Sequence, residues 1–166
     1  MITYENSYLK IKTDFPLAWR VRREENPNAK SKSQARYQLA DDDLPTEDDD
    51  YRTLFFASRN IGRGSSFFSS KFSMIAHKHI DGYDLSREVK QKVNLLECKF
   101  DQSRILDREV SVLKYMERAD NYNSVTKIVA WEEIPEIWLS IYIGGDSLEN
   151  FLVAEGLLNN LRRIKN

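Results

Sequence analysis

Two β-rich runs near the carboxyl end of the chain constrain its fold more than any other feature. Residues 125–131 and 137–143 are dominated by β-branched, aliphatic and aromatic side chains, and a short polar turn that contains Pro135 separates them. Two such runs joined by a short turn are typical of a β-hairpin. The sequence therefore predicts an antiparallel strand pair here. The Gly-Gly pair that follows predicts its end, with Asp146 or Ser147 capping a last helix.

Two segments upstream have apolar residues at helical spacing. In residues 84–98 the apolar positions are Leu85, Val89, Val93 and Leu96. Residues 105–116 repeat the pattern more strongly, with apolar positions at Ile105, Leu106, Val110, Leu113 and Met116. A spacing near 3.6 residues places such side chains on one stripe of a helix. The sequence therefore predicts one or two helices before the hairpin.

Further strands are indicated on the amino-terminal side. Residues 1–21 mix aromatic and β-branched residues in loose alternation, which predicts one or two short strands, and residues 72–80 (FSMIAHKHI) read as a buried strand. A Gly-rich turn at Gly62 and Gly64 precedes that strand. This order of elements predicts an α+β fold, in which a mostly antiparallel sheet has a helix packed on one face.

One acidic segment divides the chain. Residues 41–50 (DDDLPTEDDD) contain seven acidic residues and one proline, and like charges at this density repel and extend a chain. We therefore expect a linker here, with an N-terminal extension at 1–50 and a folded unit at 51–166. An acidic docking segment is the functional alternative for the same residues.

Composition restricts the kinds of partner. The chain has 166 residues, enough for one domain, and its 25 basic and 26 acidic residues give a net charge of -1. Such a balance predicts no binding to nucleic acid or to an anionic membrane. The single Cys98 cannot form an internal disulfide, no apolar run approaches a membrane span, and the first residues lack a signal-peptide core. A cytoplasmic or nuclear protein is expected.

Residues 107–152, DREVSVLKYMERADNYNSVTKIVAWEEIPEIWLSIYIGGDSLENFL, resemble part of a known family. They are similar, in order, to the αC helix, fourth strand, fifth strand, hinge and following helix of a eukaryotic-type protein kinase. The resemblance implies the N-terminal lobe of that family, which has a small antiparallel five-stranded sheet and a packed αC-type helix. In that family an acidic residue of the αC helix faces inward, and Glu109 stands in its place.

The resemblance also implies a nucleotide site for ATP, with Mg²⁺ as its companion ion. NIGRGSSFF resembles the glycine-rich loop, although Phe67 stands where the family has its third glycine, and MIAHKHI resembles the strand that carries the phosphate-binding lysine. Ser140 or Ile141 would stand near the gatekeeper position. The implied nucleotide-binding residues are Gly62, Gly64, Ala76, Lys78, Glu109, Tyr142, Ile143 and Gly144. Lys99 and Glu88 are alternative members of the lysine–glutamate pair.

Catalysis by this chain alone is not expected. It has no H-R-D-type catalytic loop and no D-F-G triplet, so the base and the metal ligands of phosphoryl transfer are missing. The sequence thus predicts an ATP-binding kinase lobe, of the serine/threonine type, that stops before the catalytic lobe. The expected partners are ATP and either another protein or the missing C-terminal lobe.

Two other functions stay open. One is a non-catalytic, pseudokinase-like interaction module, whose apolar docking surface would lie around Leu139, Phe151 and Leu152. The other is a forkhead-associated-like phosphopeptide binder, because IGRGSS also resembles that family's early turn and Ser73 and His77 stand near its S-x-x-H positions. A metal site is not predicted, because His77 and a second histidine two residues later are too few ligands for zinc.

Overall fold

The structure, a computed structural model, describes residues 1–23, 51–60 and 69–165. Strands make up most of the described chain. In order, the elements are β1 (Ile2–Asn6), β2 (Ile11–Phe15), β3 (Arg20–Arg23), β4 (Tyr51–Arg59), β5 (Ser70–Lys78), a 3₁₀ helix (Leu85–Glu88), β6 (Leu95–Ile105), β7 (Arg108–Arg118), β8 (Asn123–Ile134), β9 (Ile137–Gly145), α1 (Leu148–Gly156), a second 3₁₀ helix (Leu157–Asn160) and β10 (Arg162–Arg163).

The strands form two antiparallel sheets. The large sheet has seven strands in the order β3-β4-β5-β9-β8-β7-β6, and the small sheet has three in the order β1-β2-β10. Successive side chains of a strand point to opposite faces of the sheet, so the large sheet has two faces with different neighbours. We call the side that packs on the small sheet and α1 the core face, and the opposite side the open face.

Aromatic side chains fill the space between the core face and the small sheet. The rings of Tyr4 and Phe55 lie 4.5 Å apart between centroids, those of Phe15 and Phe55 5.4 Å, and those of Phe55 and Phe72 6.1 Å. All four side chains are fully buried. Burying one such ring stabilises the fold by about 1.5–3 kcal/mol relative to leaving it exposed. This cluster therefore fixes the small sheet on the large one.

A second, smaller apolar cluster lies on part of the open face. Leu113, Ile128 and Ala130 of β7 and β8 are buried there beneath Leu85 of the first 3₁₀ helix. As a result, β7 and β8 are covered on both sides at this end of the sheet. The other end of the open face, along β4, β5 and β9, is only partly covered.

A buried ion pair joins the carboxyl end of the chain to the large sheet. Both Nη atoms of Arg163 donate to the carboxylate of Glu133, at 2.6 and 3.0 Å. Trp131 Nε1 donates to the same carboxylate at 2.7 Å, and Arg163 Nη1 also donates to the carbonyl of Leu9 at 3.0 Å. Glu133 is buried, so these hydrogen bonds replace the ones that its carboxylate would make to water in the unfolded chain.

Three predictions of local structure are confirmed. β8 and β9 form the expected hairpin, turning through Pro135 and through Glu136, whose φ is +69°. The strand predicted at 72–80 is β5. Ser147 caps α1, because its hydroxyl accepts a hydrogen bond from the backbone N–H of Asn150.

The predicted α+β fold class, a kinase N-lobe with a five-stranded sheet and a packed αC-type helix, is wrong. The described residues instead form a seven-stranded and a three-stranded sheet with one α-helix. Residues 105–116, predicted as αC, turn at Leu106 and Asp107 and continue as β7. Both turn residues have positive φ, 54° and 63°, as a two-residue hairpin of the I′ type requires.

The same correction applies to the helix predicted at 84–98. Only Leu85–Glu88 is helical, as one 3₁₀ turn, and β6 begins at Leu95. At 105–116, helical spacing misled because β7 is apolar on both faces: Val110 and Val112 enter the main core, whereas Leu113 enters the second cluster. A strand covered on both sides loses its alternation, and a subset of its apolar residues then falls at helical intervals.

The acidic segment 41–50 and the glycine-rich turn with Gly62, Gly64 and Phe67 lie outside the described residues. Neither prediction is assessed by the structure. Among the helices of the described chain, none has the length and apolar character that crossing a bilayer requires.

Candidate functional site: a tyrosine-lined groove

The partly covered end of the open face, along β4, β5 and β9, contains a large cavity. It has a volume of 590 Å³, and side chains from β4, β5, β9 and the segment after β5 converge on it. Its lining residues are Tyr51, Thr53, Ile75, His77, His79, Tyr83, Arg87, Glu88 and Tyr142. The register Tyr51↔His77, Thr53↔Ile75 explains the convergence, because directly paired residues of antiparallel strands point to the same face.

Two further cavities extend this one along the strands. A cavity of 350 Å³ shares Thr53, Ile75 and Tyr142 with the first and also reaches Lys71 and Ser73. A third, of 530 Å³, shares Lys71 with the second and ends at Glu117 and Asp146. Six residue steps along β5 separate His77 from Lys71, which corresponds to about 20 Å of strand. The three cavities thus form one elongated groove.

Tyrosine is the dominant side chain of this groove. Of the eight tyrosines in the chain, five line it, and they are distributed over its whole length. They are Tyr51, Tyr83 and Tyr142 in the first cavity, Tyr115 in the second and third, and Tyr122 in the third. We call this surface the tyrosine groove.

A carboxylate fixes two of these tyrosines. Tyr142 donates its hydroxyl hydrogen to Glu88 Oε1 at 2.9 Å, and Tyr83 donates to the same oxygen. Burial raises the pKa of Tyr83, and the hydrogen bond to Glu88 raises it further. Burial is also the main reason that the pKa of Tyr142 is raised. Both phenols therefore stay protonated and act as donors over the whole physiological pH range.

A serine and two histidines form a chain beside the groove. Ser140 Oγ lies 2.5 Å from His77 Nε2, and His77 Nδ1 lies 3.3 Å from His79 Nε2. The order hydroxyl, imidazole, second imidazole resembles a nucleophile with its base and orienting group. Ser140, however, has no exposed surface and does not line the cavity, so a substrate could not reach its hydroxyl. The chain of bonds holds the two imidazoles in place, and His79 in turn stacks on Tyr83 with 4.6 Å between ring centroids.

Some of the residues implied by the kinase resemblance do line the groove. Tyr142 contributes to the first two cavities, and Ile143 and Gly144 to the second. Ala76 does not, because it is fully buried on the core face. Gly62 and Gly64 lie outside the described residues.

The structure does not bring Lys78 and Glu109 together. Lys78 forms an ion pair with Glu136 of the β8–β9 turn, 3.8 Å between Nζ and Oε2. Glu109 lies on β7, exposed, opposite Arg104 of β6. Strands β9 and β8 lie between β5 and β7, which separates the two residues by roughly 14 Å at the usual strand spacing. The alternatives are not paired either: Glu88 holds the two tyrosines, and Lys99 lies 3.9 Å from Asp101.

The docking surface predicted around Leu139, Phe151 and Leu152 is mostly internal. Leu139 and Phe151 are fully buried in the main core, and Leu152 is exposed. In the part of the chain that the structure describes, no group of three or more His, Cys, Asp or Glu side chains could hold a metal ion.

Sequence reasoning missed most of the groove. No sequence pattern points to Tyr51, Thr53, Tyr83 or Tyr115, and His77 enters only as an S-x-x-H position and as one of too few ligands for zinc. The lining residues are far apart in the sequence and become neighbours only through strand pairing, for example Ser73↔Tyr142 and Tyr115↔Thr126. The one available signal was the alternation of polar and apolar residues in β5, where Lys71, Ser73 and His77 all point to the open face.

No protein-family model matches this chain, and a comparison with curated protein sequences finds no match. A solved structure is similar: the crystal structure of LpqN of Mycobacterium tuberculosis, described as involved in cell envelope biogenesis. The TM-score is 0.54 at 9% sequence identity, over 90% of this chain and 78% of LpqN. At this identity the similarity concerns the fold alone.

Proposed function

We propose that this chain is a non-catalytic binding module that holds an extended polypeptide segment in the tyrosine groove. The observation that carries the proposal is the placement of five of the eight tyrosines along one elongated groove. Tyrosine offers a large, rigid contact area with a polar tip and loses little conformational entropy on binding. It is therefore enriched where proteins recognise other polypeptides.

The dimensions of the groove fit this class of ligand. A groove of about 20 Å accommodates roughly six residues of extended chain at 3.3 Å per residue. The groove lies on the open face of the sheet and its lining includes the exposed residues Tyr51 and Lys71, so a segment of a longer protein can enter without threading its ends.

The polar groups of the groove suit a peptide backbone. An extended backbone presents N–H donors and C=O acceptors that need partners when they leave water. Thr53, Ser73 and Thr126 supply hydroxyls along the floor, and Glu88 and Lys71 supply a carboxylate and an ammonium group. Because Glu88 and Ser140 already hold Tyr83, Tyr142 and His77 in position, little ordering remains to be done on binding.

Charge argues against nucleic acid as the ligand. The groove has Arg87 and Lys71 but also Glu88, Glu117 and Asp146, so it lacks the continuous positive potential that a phosphate backbone requires. A mixed distribution of this kind suits a segment that carries both polar and apolar side chains.

The test is selection from a library of random linear peptides displayed on phage, followed by fluorescence anisotropy with the selected peptides. Ile75→Arg places a long charged side chain on the groove floor, and Asn159→Arg places the same charge on an exposed site beyond α1 as the matched control. We expect Ile75→Arg to weaken binding at least about tenfold, equivalent to 1.4 kcal/mol, and Asn159→Arg to leave it unchanged. Peptides that bind Ile75→Arg as tightly as the wild type would refute the groove as the site, as would the absence of any selected peptide.

Nuclear magnetic resonance provides a second measurement. A selected peptide is expected to shift the backbone amide signals of Ser73, Ile75 and Tyr142, which line the groove, and to leave those of β1 and β2 in place. Shifts confined to the small sheet would contradict the proposal.

The nucleotide prediction remains a separate hypothesis. Titration with ATP and Mg²⁺ in a calorimeter tests it, and binding lost in Lys78→Ala would support it. A phosphothreonine peptide in the same instrument tests the forkhead-associated alternative.

A further inference from the structure

The outer edge of the large sheet is a long exposed strand. Among the described residues, β6 pairs only with β7, and it forms the end of the sheet over the eleven residues of Leu95–Ile105. Residues 96–104 are all exposed, including 49% of Leu96 and 51% of Phe100. The opposite edge strand, β3, has only four residues.

A free strand edge is a template for another strand. Its outward N–H and C=O groups can pair with a second chain, and proteins that avoid this use short edge strands, prolines, bulges or charged side chains. β6 is long and contains no proline, and its one irregularity lies at its first residues, between Leu95 and Glu97. Its backbone is therefore open to addition over nearly its whole length. Its four charged side chains, two of each sign, restrict the addition to a strand whose charges match them.

Symmetry allows few ways for two β6 strands to pair. In a dimer with twofold symmetry, two antiparallel copies of one strand are related by an axis perpendicular to the sheet, so one residue lies opposite its own copy. Overlap of all eleven residues occurs only when that residue is Phe100, the middle of the strand.

The charges of β6 complement one another in this register. Lys99 lies opposite Asp101 of the second copy, and Asp101 opposite its Lys99, so the exposed Lys99–Asp101 pair of each chain becomes part of a quartet of alternating sign. Leu95 lies opposite Ile105, and no like charges face each other. Moving the axis to Lys99 or to Asp101 sets a charged residue against its own copy, which is unfavourable.

We propose that a second copy of this chain pairs through β6, antiparallel and centred on Phe100, joining two seven-stranded sheets into one. The tyrosine groove reaches as far as Tyr115 and Glu117 of β7, but no residue of β6 lines it. Pairing at the outer edge of β6 therefore leaves the groove of each copy open. Eleven residues per copy are fewer than the 20–30 of a standard stable interface. The dimer is therefore expected to dissociate on dilution.

Sedimentation equilibrium of the whole chain in reducing buffer, over a series of concentrations, tests the proposal. Wild type should show a reversible monomer–dimer equilibrium. Lys99→Asp and Asp101→Lys should each raise the dimer dissociation constant about tenfold or more, because each sets like charges opposite one another. The double variant K99D/D101K should restore the wild-type constant. A monomeric wild type, or a double variant as weak as the single ones, would overturn the proposal.

Cysteine trapping checks the register independently. In a Cys98→Ser background, Phe100→Cys should form an intermolecular disulfide on mild oxidation, because opposing Cα atoms lie about 4.5–5.5 Å apart, within disulfide range. Native Cys98 should not cross-link, since in this register it is offset from its copy by four residues, roughly 13 Å along the strand. If the wild type, through Cys98, cross-linked as readily as Phe100→Cys in the Cys98→Ser background, pairing centred on Phe100 would be contradicted.

Discussion

Replacing Glu133 by Gln tests how the carboxyl end of the chain is held to the large sheet. The Glu133 side chain accepts two hydrogen bonds from Arg163 and one from Trp131, and the ion pair has side-chain exposures of 6% for Glu133 and 27% for Arg163. Gln keeps the shape of the side chain and an acceptor for Trp131 but removes the charge. Arg163 would then be left partly buried without its counter-ion.

The expected cost follows from that burial. Removing one partner of a buried ion pair typically destabilises a protein by 3–5 kcal/mol. Arg163 retains some access to water and a hydrogen bond to the Leu9 carbonyl, so the lower end applies, about 3 kcal/mol. For a domain of this size the melting temperature should fall by roughly 6–12 °C.

Urea unfolding followed by circular dichroism measures the change in the free energy of unfolding. The matched control is Glu132→Gln, which removes the same charge from the exposed neighbouring residue and should change stability by less than about 0.5 kcal/mol. A Glu133→Gln protein as stable as the Glu132→Gln protein would refute the reasoning. A double-mutant cycle with Arg163→Gln then isolates the coupling energy between the two side chains.

The same pair predicts a pH dependence. Burial alone would raise the pKa of Glu133, but the hydrogen bonds from Arg163 and Trp131 outweigh it and lower the pKa below the ordinary value. A lowered pKa in the folded state stabilises the protein above the unfolded-state pKa, about 4.3, and this contribution is lost as pH falls through the folded-state pKa. The stability difference between wild type and Glu133→Gln should therefore be complete at pH 7 and shrink below about pH 4.

Three further substitutions test α1 and its contact with β9 by urea unfolding. A Cβ at Gly145 would lie 2.2 Å from the backbone N of Phe151, so Gly145→Ala must displace α1 and should cost about 3 kcal/mol; an unchanged midpoint would contradict this packing. Gly156→Ala meets no atom within 4 Å and has a helical backbone, so it should instead stabilise by about 0.5 kcal/mol. Ser147→Ala removes the cap on the N–H of Asn150 and should cost about 1 kcal/mol, whereas Ser147→Asp should be nearly neutral.

Local signals in the sequence predicted those elements whose reasons are local. The β8–β9 hairpin, β5 and the Ser147 cap depend on composition, turn residues and a side-chain hydroxyl within a few positions of one another. The β6–β7 hairpin has no such signal. Its turn is Leu106-Asp107, both residues at positive φ, whereas the usual residues there are Asn-Gly or Asp-Gly. Without that punctuation, nothing local divides the 95–118 region into two strands.

The candidate site was less predictable than the fold because it depends on pairing between distant strands. Tyr51 and His77 are neighbours through the β4–β5 register, and Ser73 and Tyr142 through the β5–β9 register. Tyr142 was found for a reason that the structure does not support, the place of a kinase hinge; it lies instead in the middle strand of the large sheet.

The kinase resemblance and the wrong fold class both depend on a helix at residues 105–116, where the structure has a turn and β7. The resemblance depended on a helix carrying Glu109, and the apolar residues that indicated this helix are distributed over two faces of β7. Because 108–118 is a strand, the segment predicted to face an ATP site instead pairs with the edge strand β6.

That edge and the tyrosine groove lie on the same sheet but on different strands, so substitutions in one are expected to leave the other intact. Peptide binding by the K99D protein should therefore equal that of the wild type, and a loss of binding there would mean that the groove and the edge are coupled.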